Sequence, residues 1–402
     1  MFKSQRALYA GLAALSVSIA GCASTTPRIP YTLAEAESAD VPGMPADIRF
    51  YADSPAFVFD RFRQTVATQA QARHEPVTFL ALSSGGSDGA YGAGFLKGLT
   101  ESHQRPQFTI VSGISTGALM SPFVFLGSDY DATLEDLYTN GYASALVKDV
   151  SVFNAVVGNA FVDSDKLGRF IARYIDQKVL DAVAAEYRKG RRLIVVTTNI
   201  DQQRSVIWNM GAIADSHSPN ALSLFRQVLA ASASIPALFP PRLIEVESGG
   251  RTFQEMHVDG ATVRQVYVAP DEIIYGKGGT AAPFKDLYIL VNNRIDPAFT
   301  VVDNNTVGVA ARGLATILRR EGRNNVLSAY SYAASHGIGY HIAFVASDVP
   351  EPLSTDAAEQ FSTEYMTKLF EQGEAHGRAP SPWMSRPPLA TDPAGHDLTA
   401  AK

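Results

Sequence analysis

Short apolar runs alternate along this chain with longer stretches of helical period. Residues 78–82, Thr-Phe-Leu-Ala-Leu, form a continuous apolar run that stops at Ser83-Ser84-Gly85-Gly86, as a strand buried on both faces of a parallel sheet should. Runs of the same kind recur at 108–111, 193–198, 287–291 and 342–345. Helical patterning fills the spaces between them, at 89–99, 132–138, 165–187, 221–233 and 307–335. The first of these helices has poor intrinsic propensity, but its small residues Gly89, Ala90, Ala93, Gly94 and Gly98 permit close packing against a sheet. Strands alternating with helices predict an α/β fold with a mostly parallel sheet.

The two ends break this rhythm. Lys3 and Arg6 precede an apolar, small-residue run over 7–20, which closes on Ile19-Ala20-Gly21-Cys22. At 1.5 Å per residue, roughly 14 residues of helix reach about 21 Å, short of the ~30 Å hydrocarbon core, so the run reads as an export signal. Its end resembles the lipobox of bacterial lipoproteins, whose cysteine is diacylated and becomes the first residue after cleavage. The resemblance implies that 1–21 is a lipoprotein signal peptide and that Cys22 carries the lipid. Such a lipid anchors a protein without spanning the membrane, here in a bacterial cell envelope, at the outer membrane or a periplasmic face. Residues 22–47 are rich in Ser, Thr, Pro and Ala and read as a flexible tether. Residues 377–402, with recurrent Pro and no periodic hydrophobics, read as a disordered tail. The folded body is then 48–376, without internal repeats.

Composition narrows the classes. With 46% hydrophobic and 18% charged residues the chain has the makings of a packed core. Its single cysteine excludes an internal disulfide and a Cys-based metal site. A net charge of −6 with no Lys/Arg run argues against a nucleic-acid partner, and loss of 1–21 removes Lys3 and Arg6 but no acid. No His/Asp/Glu set shows metal-ligand spacing, so no metal or other cofactor is expected.

The candidate chemistry begins at Gly113-Ile114-Ser115-Thr116-Gly117. This GxSxG follows a predicted strand and precedes an apolar stretch of helix, the setting of a nucleophile elbow. A plainer reading makes Ser115 the cap of that helix in an ordinary turn. Upstream, Ser84-Gly85-Gly86-Ser87-Asp88-Gly89 places small residues between a strand and a helix N-terminus, which leaves backbone N–H groups uncovered. Donors of that kind, from Gly85, Gly86 and Ser87, suit an oxyanion. A nucleotide phosphate fits the loop poorly, because Gly-Lys-Ser/Thr is missing, Ser84 breaks the G-x-G-x-x-G register and Asp88 repels phosphate. Between Gly86 and Ser115 there is room for one helix and one strand, so both turns follow adjacent strands of one βαβ unit.

Further on come Ala230-Ala231-Ser232-Ala233-Ser234-Ile235-Pro236-Ala237-Leu238-Phe239-Pro240-Pro241 and, after strand-like residues 255–258, Asp259-Gly260-Ala261. In this order and spacing the motifs resemble the patatin-like phospholipases, over about 78–291. The resemblance implies a three-layer α/β fold with helices on both faces of the sheet. It also implies a Ser-Asp dyad without histidine: Ser115 as nucleophile, Asp259 as general base, and Gly85, Gly86 and Ser87 as the oxyanion hole. The activity it implies is that of a membrane-anchored serine esterase or lipase, cleaving an acyl lipid or phospholipid through an acyl-enzyme. By itself Asp259-Gly260 reads only as a turn. As a base, Asp259 should be buried among few donors, which raises its pKa. The chain departs from the family's Gly-Gly-Gly-x-Arg-Gly by carrying Ser84 at the first Gly and Asp88 at the Arg. A negative charge there hurts an oxyanion hole if it points inward, but an acid in the first turn of a helix suits the dipole and can face solvent.

Two rivals stand beside this reading. One is a Ser-Asp-His triad, for which His341 and His336 have the right chain order. The other is a non-catalytic lipid- or protein-binding module on the same fold. His257, in a strand that alternates with apolar residues, reads as packed or surface rather than catalytic, and Tyr91, Phe123, Phe125, Leu126 and Phe153 read as core before acyl pocket.

Overall fold

The computed structural model describes residues 28–73, 76–147, 166–236, 238–276, 282–297, 299, 301–302, 304–345 and 357–388. Among them run nine strands: β1 (Arg49–Tyr51), β2 (Thr78–Leu82), β3 (Ile110–Gly113), β4 (Arg192–Asn199), β5 (Arg204–Asn209), β6 (Arg242–Ser248), β7 (Arg251–Asp259), β8 (Asp286–Val291) and β9 (Gly339–Phe344). They form one sheet ordered β1-β5-β4-β3-β2-β8-β9, to which the β6–β7 hairpin is joined through β4. The series β4-β3-β2-β8-β9 is parallel throughout, and its members are the runs legible in the sequence. The remaining pairings are antiparallel.

Helices cover both faces. The ones that bear on the site are α1 (Leu33–Glu37), α2 (Phe57–Arg73), α3 (Gly89–Glu101), α4 (Thr116–Leu126), α5 (Lys166–Tyr174), α6 (Gln177–Arg188), α7 (Ala221–Ser232), α8 (Thr306–Ser335) and α9 (Thr363–Gly377). Strand alternation divides the interior into two cores. Leu80 and Leu82 of β2 join Val111 under α3, α4, α7 and α9, whereas Phe79 and Ala81 join Ile110 under α8. The result is three layers. The helix expected over 165–187 is two, α5 and α6, because Asp176 adopts extended backbone and its carboxylate accepts the Val179 N–H as an N-cap.

Gly94 and Gly98 were expected against the sheet and instead face another helix. A Cβ on Gly94 would lie 1.9 Å from the Phe370 carbonyl oxygen, and one on Gly373 2.0 Å from that of Tyr91. Backbones of α3 and α9 therefore touch, which only glycine permits.

Both chain ends, where described, are docked rather than loose. Arg28 forms a two-pronged ion pair with Asp201, Tyr31 stacks on Phe253 with ring centroids 4.4 Å apart, and Asp40 bridges to Glu247. Thr32 and Glu35 cap α1 reciprocally. Residues 28–40 thus lie along the β6–β7 hairpin, held by charge and stacking that a tether composition does not advertise. At the other end Met384 bridges to Ile342 on the edge of β9, and Trp383 packs on Phe95 and Tyr288. Cys22 and residues 389–402 lie outside the described residues.

Candidate active site

Strand register brings the two key residues together. β3 ends at Gly113, opposite Val195 of β4. β4 continues to Asn199 with β5 along one edge. On its other edge, in the lane β3 has vacated, β7 arrives from the opposite direction and pairs Asp259 with Thr197. The end of β7 therefore meets the turn after β3 head-on.

That turn is sharp. Ser115 sits at φ +56°, ψ −122°, a conformation that costs a non-glycine residue of order 1–3 kcal/mol. The flanking glycines are steric requirements. A Cβ on Gly113 would lie 2.3 Å from the Gly117 carbonyl oxygen, and one on Gly117 2.5 Å from that of Leu82. Ser115 N–H donates to Ser232 Oγ at 3.0 Å, and Ser232 Oγ–H in turn donates to the Val196 carbonyl at 2.7 Å, which ties the elbow to α7 and β4.

Ser115 Oγ donates to Asp259 Oδ2 at 2.6 Å. The other carboxylate oxygen accepts the Ala261 N–H at 2.8 Å, and Asp259 N–H donates to the Ser234 carbonyl. Asp259 is 2% exposed, and burial pushes its pKa up to about 7 against the pull of these two donors. The residue that follows does not make a hairpin turn. A Cβ on Gly260 would lie 2.5 Å from the Val196 carbonyl oxygen, so glycine here lets β7 pass β4.

The glycine loop stands across from the elbow. Gly86 to Asp88 make one turn of 3₁₀ helix before α3 begins at Gly89. Gly85 lies so close to Asn292 that an added Cβ would overlap its carbonyl, and Gly86 has φ +58°. Among the described residues no acceptor meets the N–H groups of Gly85, Gly86 and Ser87. A narrow apolar cleft of about 40 Å³ joins Gly86, Ser87 and Ser115, with Leu119, Phe170 and Phe361 among its walls.

The family model for patatin-like phospholipase matches residues 80–270, a stretch that includes the loop, the elbow and Asp259. Residues 80–270 form a patatin-like phospholipase domain. Members of this family act on lipid esters. Among solved structures, that of VipD from Legionella pneumophila is similar at 12% identity, with a TM-score of 0.33, over 74% of this chain and 67% of that one. No curated protein matches the sequence.

Around the patatin-like domain the remaining predicted residues fall elsewhere. His341 lies at the edge of the sheet on β9, stacked on Tyr288 and hydrogen-bonded to Asp286 at the start of β8, away from the elbow end. His336 closes α8 against the Tyr332 carbonyl. No histidine among the described residues hydrogen-bonds Ser115 or Asp259. His257 is buried, bonded to Thr197 and Glu255, and burial holds its pKa down. Asp88 does not simply face solvent: its carboxylate accepts the Tyr365 hydroxyl at 3.0 Å, and Ser84 Oγ donates to Gln265. Tyr91, Phe123 and Phe125 are core, Leu126 packs against them, and Phe153 lies outside the described residues. Among the described residues no three His, Cys, Asp or Glu side chains gather as a metal site.

Two contributors escaped the sequence reading. Ser232 was visible only as part of an Ala/Ser-rich helix end, and Asn292, whose side chain and N–H bind Ser83, sits just past β8 with no motif around it. A polar residue directly after a buried strand was the available signal.

Proposed function

We propose that the protein is an exported, lipid-anchored serine esterase that cleaves acyl esters of lipids, with a phospholipase A-like action, through a Ser115–Asp259 dyad. The observation that carries this reading is the 2.6 Å hydrogen bond from a strained elbow serine to a buried carboxylate whose pKa is about 7. A base with that pKa is matched to neutral pH, half ionised and ready to take a proton. Ser115 Oγ attacks the ester carbonyl carbon as its proton passes to Asp259 Oδ2. The N–H groups of Gly85, Gly86 and Ser87 receive the charge that develops on the carbonyl oxygen. Collapse expels the alcohol, which leaves with the proton from Asp259, and the acyl group stays on Oγ. Water then attacks the acyl-enzyme, giving its proton to Asp259, and the fatty acid departs as Ser115 is re-formed.

The apolar walls of the cleft suit an acyl chain. Leu119, Phe170 and Phe361 supply those walls beside Ser115. The lipid anchor is the diacyl group at Cys22. A fluorophosphonate probe tests the nucleophile: it labels the wild type and not Ser115→Ala, and hydrolysis of short acyl esters and phospholipids disappears with the labelling. Activity that survives Ser115→Ala sinks the reading. Retention of the membrane-bound, processed form by Cys22→Ser sinks the anchor.

A further inference from the structure

We propose that the N-terminal half of α8 docks the protein on an anionic phospholipid surface with the mouth of the Ser115 cleft turned toward it, an inference that rests on the esterase reading above. α8 has 30 residues, about 45 Å of helix, yet the strands it connects, β8 and β9, have six each, about 20 Å. Its C-terminal end is fixed at the start of those strands, where Gly339 N–H donates to the Lys285 carbonyl. The surplus of roughly 25 Å therefore falls at the C-terminal ends of the parallel strands, the end that bears Ser115.

The two halves of the helix differ in kind. Val326, Ala329, Tyr332 and Ala333 are buried on the sheet. In the projecting half Leu314 is 53% and Ile317 65% exposed, and with Ala310 they form one stripe at helical spacing. Just ahead in the chain Phe299 is 93% exposed. From 304 to 320 the sequence has Arg312, Arg319 and Arg320 and no acid, against a net charge of −6 for the whole chain. Arg319 donates to the Asp296 carbonyl, and Arg323, which also lines this face, pairs with the Asp296 carboxylate at 3.5 Å. Between these arginines and Ile295 and Pro297 lies a groove of about 210 Å³ that fits a headgroup phosphate. Apolar side chains rimmed by arginine are the pattern of a helix that settles into an anionic interface.

A second contact lies on the other flank. Arg28 is held by Asp201 in the turn after β4, again at the C-terminal end of the parallel strands. Cys22 is six residues upstream, so a lipid there attaches no farther than about 22 Å from the backbone of Arg28. Arg28 and α8 thus lie on opposite flanks of the elbow, since β4 and β8 flank β3 and β2.

The test uses the mature lipidated protein, with an environment-sensitive fluorophore on Ile317→Cys or on Ala334→Cys, 17 residues along the same helix and about 26 Å away. On phosphatidylglycerol-containing vesicles the label at 317 reports an apolar setting, and the label at 334 remains in water. The double variant Leu314→Glu/Ile317→Glu lowers hydrolysis of vesicle phospholipid at least tenfold and changes hydrolysis of a short, water-soluble ester less than twofold. A water-like label at 317 on vesicles, or equal loss on both substrates, overturns the proposal. So does a dimeric mass with the 317 label shielded before vesicles are added, which assigns the face to a second copy. If the unmodified enzyme hydrolyses neither substrate but the 317 label still enters the bilayer, docking stands and the esterase reading falls.

Discussion

Glu255 and Asp259 lie four residues apart on β7, on the same side of the strand, with 0% and 2% of their surface exposed. Burial pushes both carboxyls up, but only Asp259 stays there. For Glu255 the His257 hydrogen bond and the Arg49 guanidinium, 2.5 Å away, more than offset burial and hold it below its usual range. Asp259 has one hydroxyl and one backbone N–H, and no cation. One strand thus carries a carboxylate held below its usual range and one raised to about 7. The difference is made by a partner charge brought in from β1.

Removal of the raised member should have the largest effect on turnover. Asp259→Asn lowers kcat/KM by about 10³-fold on a soluble ester, within the range of a general base, with the fold intact by circular dichroism. Loss of the cation from the lowered member should act on stability instead. Arg49→Met leaves Glu255 buried without its cation and costs about 3–5 kcal/mol in denaturant unfolding, and adding Glu255→Leu recovers most of it.

pH separates the two carboxylates by sign. The folded pKa of Asp259, about 7, lies above the ~3.9 of the unfolded chain, so its contribution is fully present below about pH 4 and is lost as pH rises toward 7. Wild type therefore weakens relative to Asp259→Asn across that window, by roughly 4 kcal/mol at its end. Glu255 runs the other way: its contribution is present above its unfolded pKa of ~4.3 and fades as pH falls below that. Unfolding midpoints of Asp259→Asn and Glu255→Gln, compared from pH 2 to 8, should diverge from wild type with opposite slopes in separate windows, the first between about pH 4 and 7 and the second below about pH 4.3. In the same range kcat/KM rises with an apparent pKa near 7 as Asp259 loses its proton.

Smaller effects mark the edges of the comparison. Ser232→Ala leaves the buried Ser115 N–H without an acceptor and costs about 1–3 kcal/mol of stability. His341→Ala changes kcat/KM less than twofold, and a larger loss would return histidine to the mechanism.

What could be read in the chain follows the same physics. The five parallel strands were legible because burial on both faces makes them continuous apolar runs, as at 78–82. β6 escaped notice because only Ile244 and Val246 point inward, between exposed Leu243 and Glu245 and the surface Glu247. Its turn, Gly249-Gly250 with both φ positive, was the cue to a two-residue hairpin. Ser115 and the loop glycines were legible because steric limits restrict which residues fit them, whereas Asp259 stood out only through the order of motifs that the resemblance supplied. The Arg49–Glu255–His257 cluster joins residues 206 apart in sequence, and no local pattern announces such a meeting.

The glycine contact between α3 and α9 has a consequence in time. α3 grows directly out of the glycine loop, and the surface that seats it is made by residues 363–377, the last helix among the described residues. A ribosome that has already delivered loop, elbow and Asp259 has still not delivered the partner that fixes the loop's helix. The order of synthesis therefore withholds a finished site until α9 has been made.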